Sequence, residues 1–321
     1  MAERKLIAVL PMLEEGLRAR VRDAAVQRGF MIRFLETAEE ALPQVADAEI
    51  IFGTSPELAR HAPALRWFCT PFAGVDNFTA PGVFASPDAV LTNSSGAYGV
   101  TIAGHILMVT LEMLRHMPEY EEIVRSRSWV RTLPVSSIRD SRITLLGAGD
   151  IGREAAIRLR SFSPAALVGV NRSGARRGTE FDRVIPQTGL DAILPETDIL
   201  IISLPDTAET RHMLDARRLA MLPDGALVVN VGRGQVIDTP ALVAELQAGR
   251  LRAALDVFEQ EPLPADDPIW DCPNLRITPH VAGNMTLPYT RRHIVEMFLE
   301  DLDNYCAGKP LAHQVDLKRG Y

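Results

Sequence analysis

Three residues combine type and surroundings in a way that points to chemistry: Arg233, Glu261 and His280. Arg233 lies in Val229-Asn-Val-Gly-Arg-Gly234, Glu261 in Asp256-Val-Phe-Glu-Gln-Glu-Pro262, and His280 in Thr278-Pro-His-Val-Ala-Gly283. Each follows an apolar run that reads as a strand, and in open α/β sheets ligands gather outside the carboxyl ends of strands. A guanidinium forks onto a carboxylate and polarises the neighbouring carbonyl, which a lysine does not reproduce. An imidazole, with a reference pKa of about 6.5, can protonate a developing alkoxide. A carboxylate can orient that ring and favour its imidazolium form. The set suits hydride chemistry on a 2-oxo acid. Singly, each has an ordinary reading: a loop histidine is commonly structural, and Glu261 could be a solvated charge.

A second constellation is Gly147-Ala-Gly149-Asp-Ile-Gly152, which matches G-x-G-x-x-G between a strand (SRITLL) and a helix (REAAIRLRSF). Gly147 permits the tight turn, Gly149 lets a pyrophosphate approach the backbone, and Gly152 packs helix on strand. The helix N-terminus offers N–H groups and a positive dipole end to phosphate. After the next strand, where NAD-binding units carry an acid for the ribose 2′-hydroxyl, the chain reads Asn171-Arg172-Ser173. Arg172 can fork onto a 2′-phosphate, Ser173 is a neutral donor, and Arg176 and Arg177 add charge nearby. The expectation is a preference for NADP(H), with NAD(H) as the alternative; the ordinary reading is solvated loop arginines.

These residues need a scaffold. Strand-like runs Lys5–Leu10, Met31–Leu35, Glu49–Phe52, Leu65–Thr70 and Val90–Leu91 alternate with helical stretches such as Leu13–Arg28 and Glu39–Ala46. An amphipathic helix is expected over about 99–117. A second alternation then follows, with strands Ile143–Leu146, Leu167–Val170, Ile199–Ser203, Ala226–Val231, Ala253–Val257 and Arg276–Thr278, and a terminal helix over Thr290–Tyr305. Strands alternating with helices predict parallel βαβ units, hence α/β doubly wound sheets. The length, 321 residues, suits two domains. Lys and Arg total 34 against 41 Asp and Glu, a net charge of −7, so a basic nucleic-acid footprint is absent. Cys69, Cys272 and Cys306 lie far apart without metal spacing, so no metal site and a reducing, cytoplasmic setting are expected. No run of ~18 apolar residues suggests a membrane span, and Leu6–Leu10 is too short for a signal sequence.

The motifs GAGDIG, SLPDTAET (203–210), VNVGRG, ALDVFEQEPL and TPHVAG, with FAGVDNF (72–78) and TNSSGAYG (92–99), together resemble the D-isomer-specific 2-hydroxyacid dehydrogenases, a group that includes glyoxylate/hydroxypyruvate reductases. The resemblance spans most of the chain. It implies Arg233, Glu261 and His280 as a catalytic trio, and backbone N–H groups of Ala73, Gly74 and Val75 on the substrate carboxylate. It places Asp256 near the nicotinamide and implies cofactor contacts at Asp150, Ile151, Leu204, Pro205, Thr210, Val231, Gly232 and Gly283, beside the glycines and Asn171-Arg172-Ser173. It further implies a Rossmann dinucleotide-binding domain (98–286) inserted into a flavodoxin-like substrate domain (1–97 and 287–321), a cleft that closes on substrate, and a homodimer formed through the nucleotide domain. Where the family reads Ala-Glu-His, this chain reads Ala103-Gly104-His105, losing a carboxylate. His105, His116, His212 and His293 read as helix or surface histidines. Phe72, Tyr98, Trp270 and Met285 are candidate pocket linings, with packing as their commoner fate.

The reading favoured is reduction of a small 2-oxo acid. A dinucleotide-sensing, corepressor-like protein is the alternative from another class, against which the intact trio argues. Formate, phosphonate and 3-phosphoglycerate dehydrogenases are alternatives within the enzymes. Glu rather than Gln beside the histidine argues against formate, and residues 71–80 hold no cation for a phosphorylated substrate. A long-form phosphoglycerate dehydrogenase would also carry a regulatory domain beyond residue 321.

Overall fold

The computed structural model describes residues 4–176 and 178–317. The chain divides into two compact units, Met1–Tyr98 with Met285–Tyr321, and Gly99–Asn284.

In the first unit, β1 (Arg4–Val9), β2 (Phe30–Leu35), β3 (Ile50–Gly53), β4 (Trp67–Cys69) and β5 (Val90–Thr92) form a parallel sheet in the order β2-β1-β3-β4-β5. Leu6, Ile7, Ile50, Ile51, Phe52 and Phe68 are fully buried, as continuous apolar runs must be when helices cover both faces of a parallel sheet. On one face Phe298, from the helix Pro288–Cys306, stacks on Phe52 and on Trp67. The chain then returns to the sheet edge: Thr92 bridges Gln314 in antiparallel sense, and Val315 donates its N–H to Leu91.

In the second unit, β6 (Arg142–Leu146), β7 (Ala166–Asn171), β8 (Arg183–Pro186), β9 (Ile199–Ile202), β10 (Leu227–Asn230), β11 (Arg252–Leu255) and β12 (Leu275–Ile277) form a seven-stranded parallel sheet. Its order, β12-β11-β10-β9-β6-β7-β8, reverses direction between β6 and β9, the switch point at which such sheets bind ligands. Both units are thus the doubly wound parallel sheets expected.

Three elements were not anticipated. The strand β8 is an edge strand of half-buried and exposed residues, without the apolar run that marked the others. The helix expected over about 99–117 ends at Leu114; His116 turns left-handed (φ 55°) and a separate helix, Met117–Arg125, begins. The tail pairing with β5 rests on tertiary placement, since Gln314 carries no strand pattern.

Candidate active site

At the switch point the chain leaves β6 through Gly147 at φ 108°, a conformation open to glycine at little cost. A Cβ on Gly147 would lie 2.6 Å from Ser203 Oγ and 2.9 Å from the Ser203 carbonyl oxygen, so the turn lies flat against the end of β9. A Cβ on Gly152 would collide with the carbonyl oxygen of Gly147. Gly149 caps the helix Asp150–Arg160, whose first turn holds Asp150 and Ile151, and that turn's N–H groups have no partners within the helix. Gly99, the first residue of the helix Gly99–Leu114, abuts the Asp150 carboxylate so closely that a Cβ there would fall on it. The arrangement fits a dinucleotide pyrophosphate: a backbone cradle that side chains would fill, at a positive helix end.

At the end of β7 no acid is present. The Asn171 side chain is used by its own loop: Oδ1 accepts the N–H groups of Ser173 (3.1 Å) and Gly174 (2.7 Å), and Nδ2 donates to Ala175 O (2.8 Å). Its contribution is therefore to shape the loop that carries Arg172 and Ser173. Arg172 Nε stands 3.7 Å from Glu209 Oε2, with both side chains more than half exposed. Arg176 donates to the carbonyls of Gly178 (3.0 Å) and Asp182 (3.4 Å), and Arg177 lies outside the described residues. Beyond β9, buried Leu204 leads to Pro205, whose carbonyl accepts from Thr210 Oγ1 (2.6 Å). That hydroxyl oxygen also receives the Thr207 N–H (2.9 Å), closing the loop tightly.

The strands β10, β11 and β12 are neighbours in the sheet, so the segments carrying Arg233, Glu261 and His280 leave the same rim. Asn230, buried at the end of β10, accepts Gly232 N–H at Oδ1 (3.0 Å) and donates from Nδ2 to Arg233 O (3.0 Å). Buried Val231 precedes Gly232, which lies so near Leu204 that a Cβ would come within 2.7 Å of its nitrogen; Gly234 presses on the Phe258 backbone. The Arg233 backbone is extended, and its guanidinium donates to Gly232 O (2.8 Å). Asn230 was not singled out from the sequence. Its signal was a polar residue ending an apolar strand beside two glycines.

Glu261 and His280 are brought together. Glu261 Oε1 accepts the Phe258 N–H (2.9 Å) and Oε2 lies 2.7 Å from His280 Nδ1. A carboxylate on Nδ1 fixes a proton there in the neutral ring and directs Nε2 towards chemistry. His280 is half-exposed and has φ 53°, and Gly283 lies in the turn that follows.

Asp256, at the end of β11, is only 2% exposed. Its carboxylate receives Val281 N–H (2.9 Å), Ala282 N–H (3.0 Å) and the Thr278 hydroxyl (2.6 Å). His105 is a helix histidine, one of the two readings expected, but a buried one: its side chain is 10% exposed and Nε2 lies 3.2 Å from Thr278 Oγ1. Burial pushes its pKa below the usual value, against the opposing pull of Asp256 and Glu112. Gly104 beside it is exposed, and among the described residues nothing lies within 4 Å of where its Cβ would be. His116 and His293 pair with Glu119 and Glu296, each three positions on, and His212 pairs with Glu259 from a distant part of the same unit.

In the other unit, the loop after β4 is held from three sides. Asn93 Nδ2 donates to Ala73 O (2.7 Å), Ser94 N–H to Phe72 O (3.0 Å) and the Tyr98 hydroxyl to Pro71 O (2.8 Å). Among the described residues, no acceptor meets the N–H groups of Ala73, Gly74 and Val75. Of the candidate linings, Tyr98 is buried by this packing, Phe72 and Trp270 are exposed, and Trp270 Nε1 donates to Pro264 O (2.8 Å). Among the described residues, no group of three or more His, Cys, Asp or Glu could hold a metal ion.

Residues 107–282 match the family model described as D-isomer specific 2-hydroxyacid dehydrogenase, NAD binding domain. The chain is 33% identical over 251 residues to glyoxylate/hydroxypyruvate reductase B of Pectobacterium atrosepticum, covering 75% of this chain and 78% of that protein. A D-isomer specific 2-hydroxyacid dehydrogenase family protein from Aeromonas salmonicida superposes with a TM-score of 0.86 at 31% identity, over 98% of this chain and all of that one. An NADPH-dependent glyoxylate/hydroxypyruvate reductase from Sinorhizobium meliloti, in complex with NADP and sulfate, does so at 0.83 and 28% identity, over 99% and 100% of the two chains.

Proposed function

The chain belongs to the D-isomer specific 2-hydroxyacid dehydrogenase family, and from that premise we propose that it interconverts a small 2-oxo acid and its D-2-hydroxy acid with NADP(H) as the preferred cofactor. The observation that carries this reading is the Glu261–His280 pair, 2.7 Å apart on the rim from which Arg233 also emerges.

The unit Gly99–Asn284 is assigned the dinucleotide, and the unit built from the two terminal segments the acid. When bound, the nicotinamide supplies the hydride. Arg233 takes the substrate carboxylate and polarises the carbonyl. The N–H groups of Ala73, Gly74 and Val75 suit the same carboxylate chemistry, because successive backbone N–H groups form an anion-binding concavity. With Nδ1 bonded to Glu261, His280 gives its proton from Nε2 to the oxygen that becomes the hydroxyl. Glu261 stabilises the imidazolium that precedes the transfer. The glycines of 147–152 admit the pyrophosphate, and Asp150, Ile151, Leu204, Pro205, Thr210, Val231, Gly232 and Gly283 line the same rim.

The preference for NADP(H) rests on the absence of an acid after β7 and on Arg172 and Ser173 in its place; NAD(H) is the competing cofactor. A homodimer is supported by the segment following the helix Met117–Arg125, where Trp129 is 89% exposed and Val130 and Val135 are also exposed. Free Cys69, Cys272 and Cys306 fit a reducing, cytoplasmic compartment, and among the described residues no helix is long and apolar enough to cross a membrane.

The deciding experiment is a matrix of kcat/KM for NADPH and NADH against glyoxylate, hydroxypyruvate, pyruvate, phenylpyruvate and 2-oxoisovalerate. Turnover with at least one acid, faster with NADPH, is expected. Silence across the panel with tight NADPH binding would favour a sensor, and equal rates with NADH would remove the cofactor preference.

A further inference from the structure

The four donors that converge on Asp256 come from one short segment. The Thr278 hydroxyl and the N–H groups of Val281 and Ala282 go to its carboxylate, and the N–H of His280 goes to its carbonyl oxygen (2.9 Å). Asp256 is therefore the template on which residues 278–282 are folded, including His280 in its left-handed conformation.

That template has a further support from a distant part of the chain. Both Asp256 oxygens already receive backbone N–H, so the carboxylate is the acceptor in the 2.6 Å bond with Thr278, and the single hydroxyl proton of Thr278 is spent there. The remaining 3.2 Å bond of Thr278 Oγ1, to His105 Nε2, must be donated by the ring. His105 comes from the helix Gly99–Leu114, more than 170 positions earlier in sequence, and its Nε2 also stands 3.9 Å from Asp256 Oδ1. Hydrogen bonds in such a chain polarise one another, the more so where, as here, the groups are partly buried.

We propose that His105 is a positioning residue of the acid–base site: its Nε2–H holds the Thr278 hydroxyl on Asp256, and Asp256 in turn holds the backbone that presents His280. Burial lowers the pKa of the ring and so favours its neutral form, and the geometry places the proton that the chain requires on Nε2. The proposal deepens the reading of His280 as proton donor and rests on it for its effect on turnover. The hydrogen-bond chain itself is testable without activity.

The test compares His105→Phe, His105→Gln, Thr278→Val and the double variant H105F/T278V. Phe fills the space without donating, and Gln can place an N–H where Nε2 was. For H105F, kcat should fall about 10- to 100-fold, the usual cost of a small misplacement of reacting groups. NADPH Kd should not change, and H105Q should recover most of the loss. Because the two side chains act in series, T278V should cost little more in the H105F background than H105F alone. Amide hydrogen exchange at Val281 and Ala282 should accelerate in H105F and T278V but not in H105Q. Should H105F fold poorly, T278V carries the same comparison. Unchanged exchange at both amides, or a loss of kcat and NADPH affinity together without rescue by Gln, would overturn the proposal. Accelerated exchange in an enzyme whose wild type turns over none of the acids would uphold the chain and reject the reductase reading instead.

Discussion

Two stretches of one sheet rim are built by opposite means. Where β6 and β9 end, geometry depends on atoms that are missing: a Cβ on Gly147 or Gly152 would strike Ser203 or the Gly147 carbonyl. Where β10, β11 and β12 end, it depends on buried polar side chains, Asn230 and Asp256, which bind loop backbone that no regular element satisfies. The difference follows from the ligand each end suits. A pyrophosphate is held by backbone N–H groups and needs close approach, so side chains obstruct it. Proton transfer needs a ring and a guanidinium aimed within a fraction of an ångström, so the segments that carry them must be tied down. Glycine cannot do that; a buried carboxylate can.

The comparison can be broken experimentally, beginning with the largest effect. Replacing His280 with Ala should lower kcat by about 10²–10⁴-fold, the usual worth of general acid catalysis, while NADPH titration by fluorescence returns the wild-type Kd. A variant that turns over normally would remove His280 from the chemistry and leave the polar end without its purpose. At the glycine end, Gly152→Ala should do the reverse. Overpacking by one methyl costs about 1–3 kcal/mol, so NADPH Kd should rise roughly 10- to 100-fold, read by the same titration. Saturating NADPH should then restore most of kcat. Arg172→Ala should act more narrowly, reducing kcat/KM with NADPH about tenfold, as loss of a charge-assisted hydrogen bond does, and leaving NADH unchanged. Equal losses with both cofactors would show Arg172 serving the loop and not a 2′-phosphate.

The smallest effect is a titration. Burial lowers the folded-state pKa of His105, so below about pH 6.5 the unfolded chain binds a proton that the folded chain resists. That contribution to stability is intact above pH 6.5 and is lost progressively as pH falls towards the folded value. The thermal midpoint should therefore drop on acidification more steeply in wild type than in His105→Gln, and Gly152→Ala should keep the wild-type slope. Identical slopes in all three would mean that His105 does not titrate differently on folding.

The glycine end was legible because its requirements are local. Three glycines between an apolar strand and an amphipathic helix state both the turn and the reason for it. The segments proposed to be catalytic were legible as types and order, and the Glu261–His280 contact followed from strands that turn out to be sheet neighbours. Asn230 and His105 were not, because a lone Asn at a strand end and a His in a helix each have many ordinary uses. Their partners, Arg233 O and Thr278 Oγ1, say which use applies. Asn171 has a use that its place after β7 did not announce: its side-chain amide braces its own loop. Apolar patterning likewise missed β8, an exposed edge strand, and the break at His116 that separates two helices.

By itself, the sequence determined what depends on neighbours along the chain. It set the strand–helix alternation, the glycines at the cofactor turn, the missing acid after β7, and the arginine, glutamate and histidine that follow three strands. Only the tertiary structure decided what depends on chain segments far apart. It gave the strand order that puts those three segments on one rim, Gln314 beside Thr92, and His105 in reach of a threonine more than 170 positions away. The reason is physical: a glycine's backbone freedom and a strand's burial are written into each residue, whereas a hydrogen bond exists only when both partners have been brought within about 3 Å.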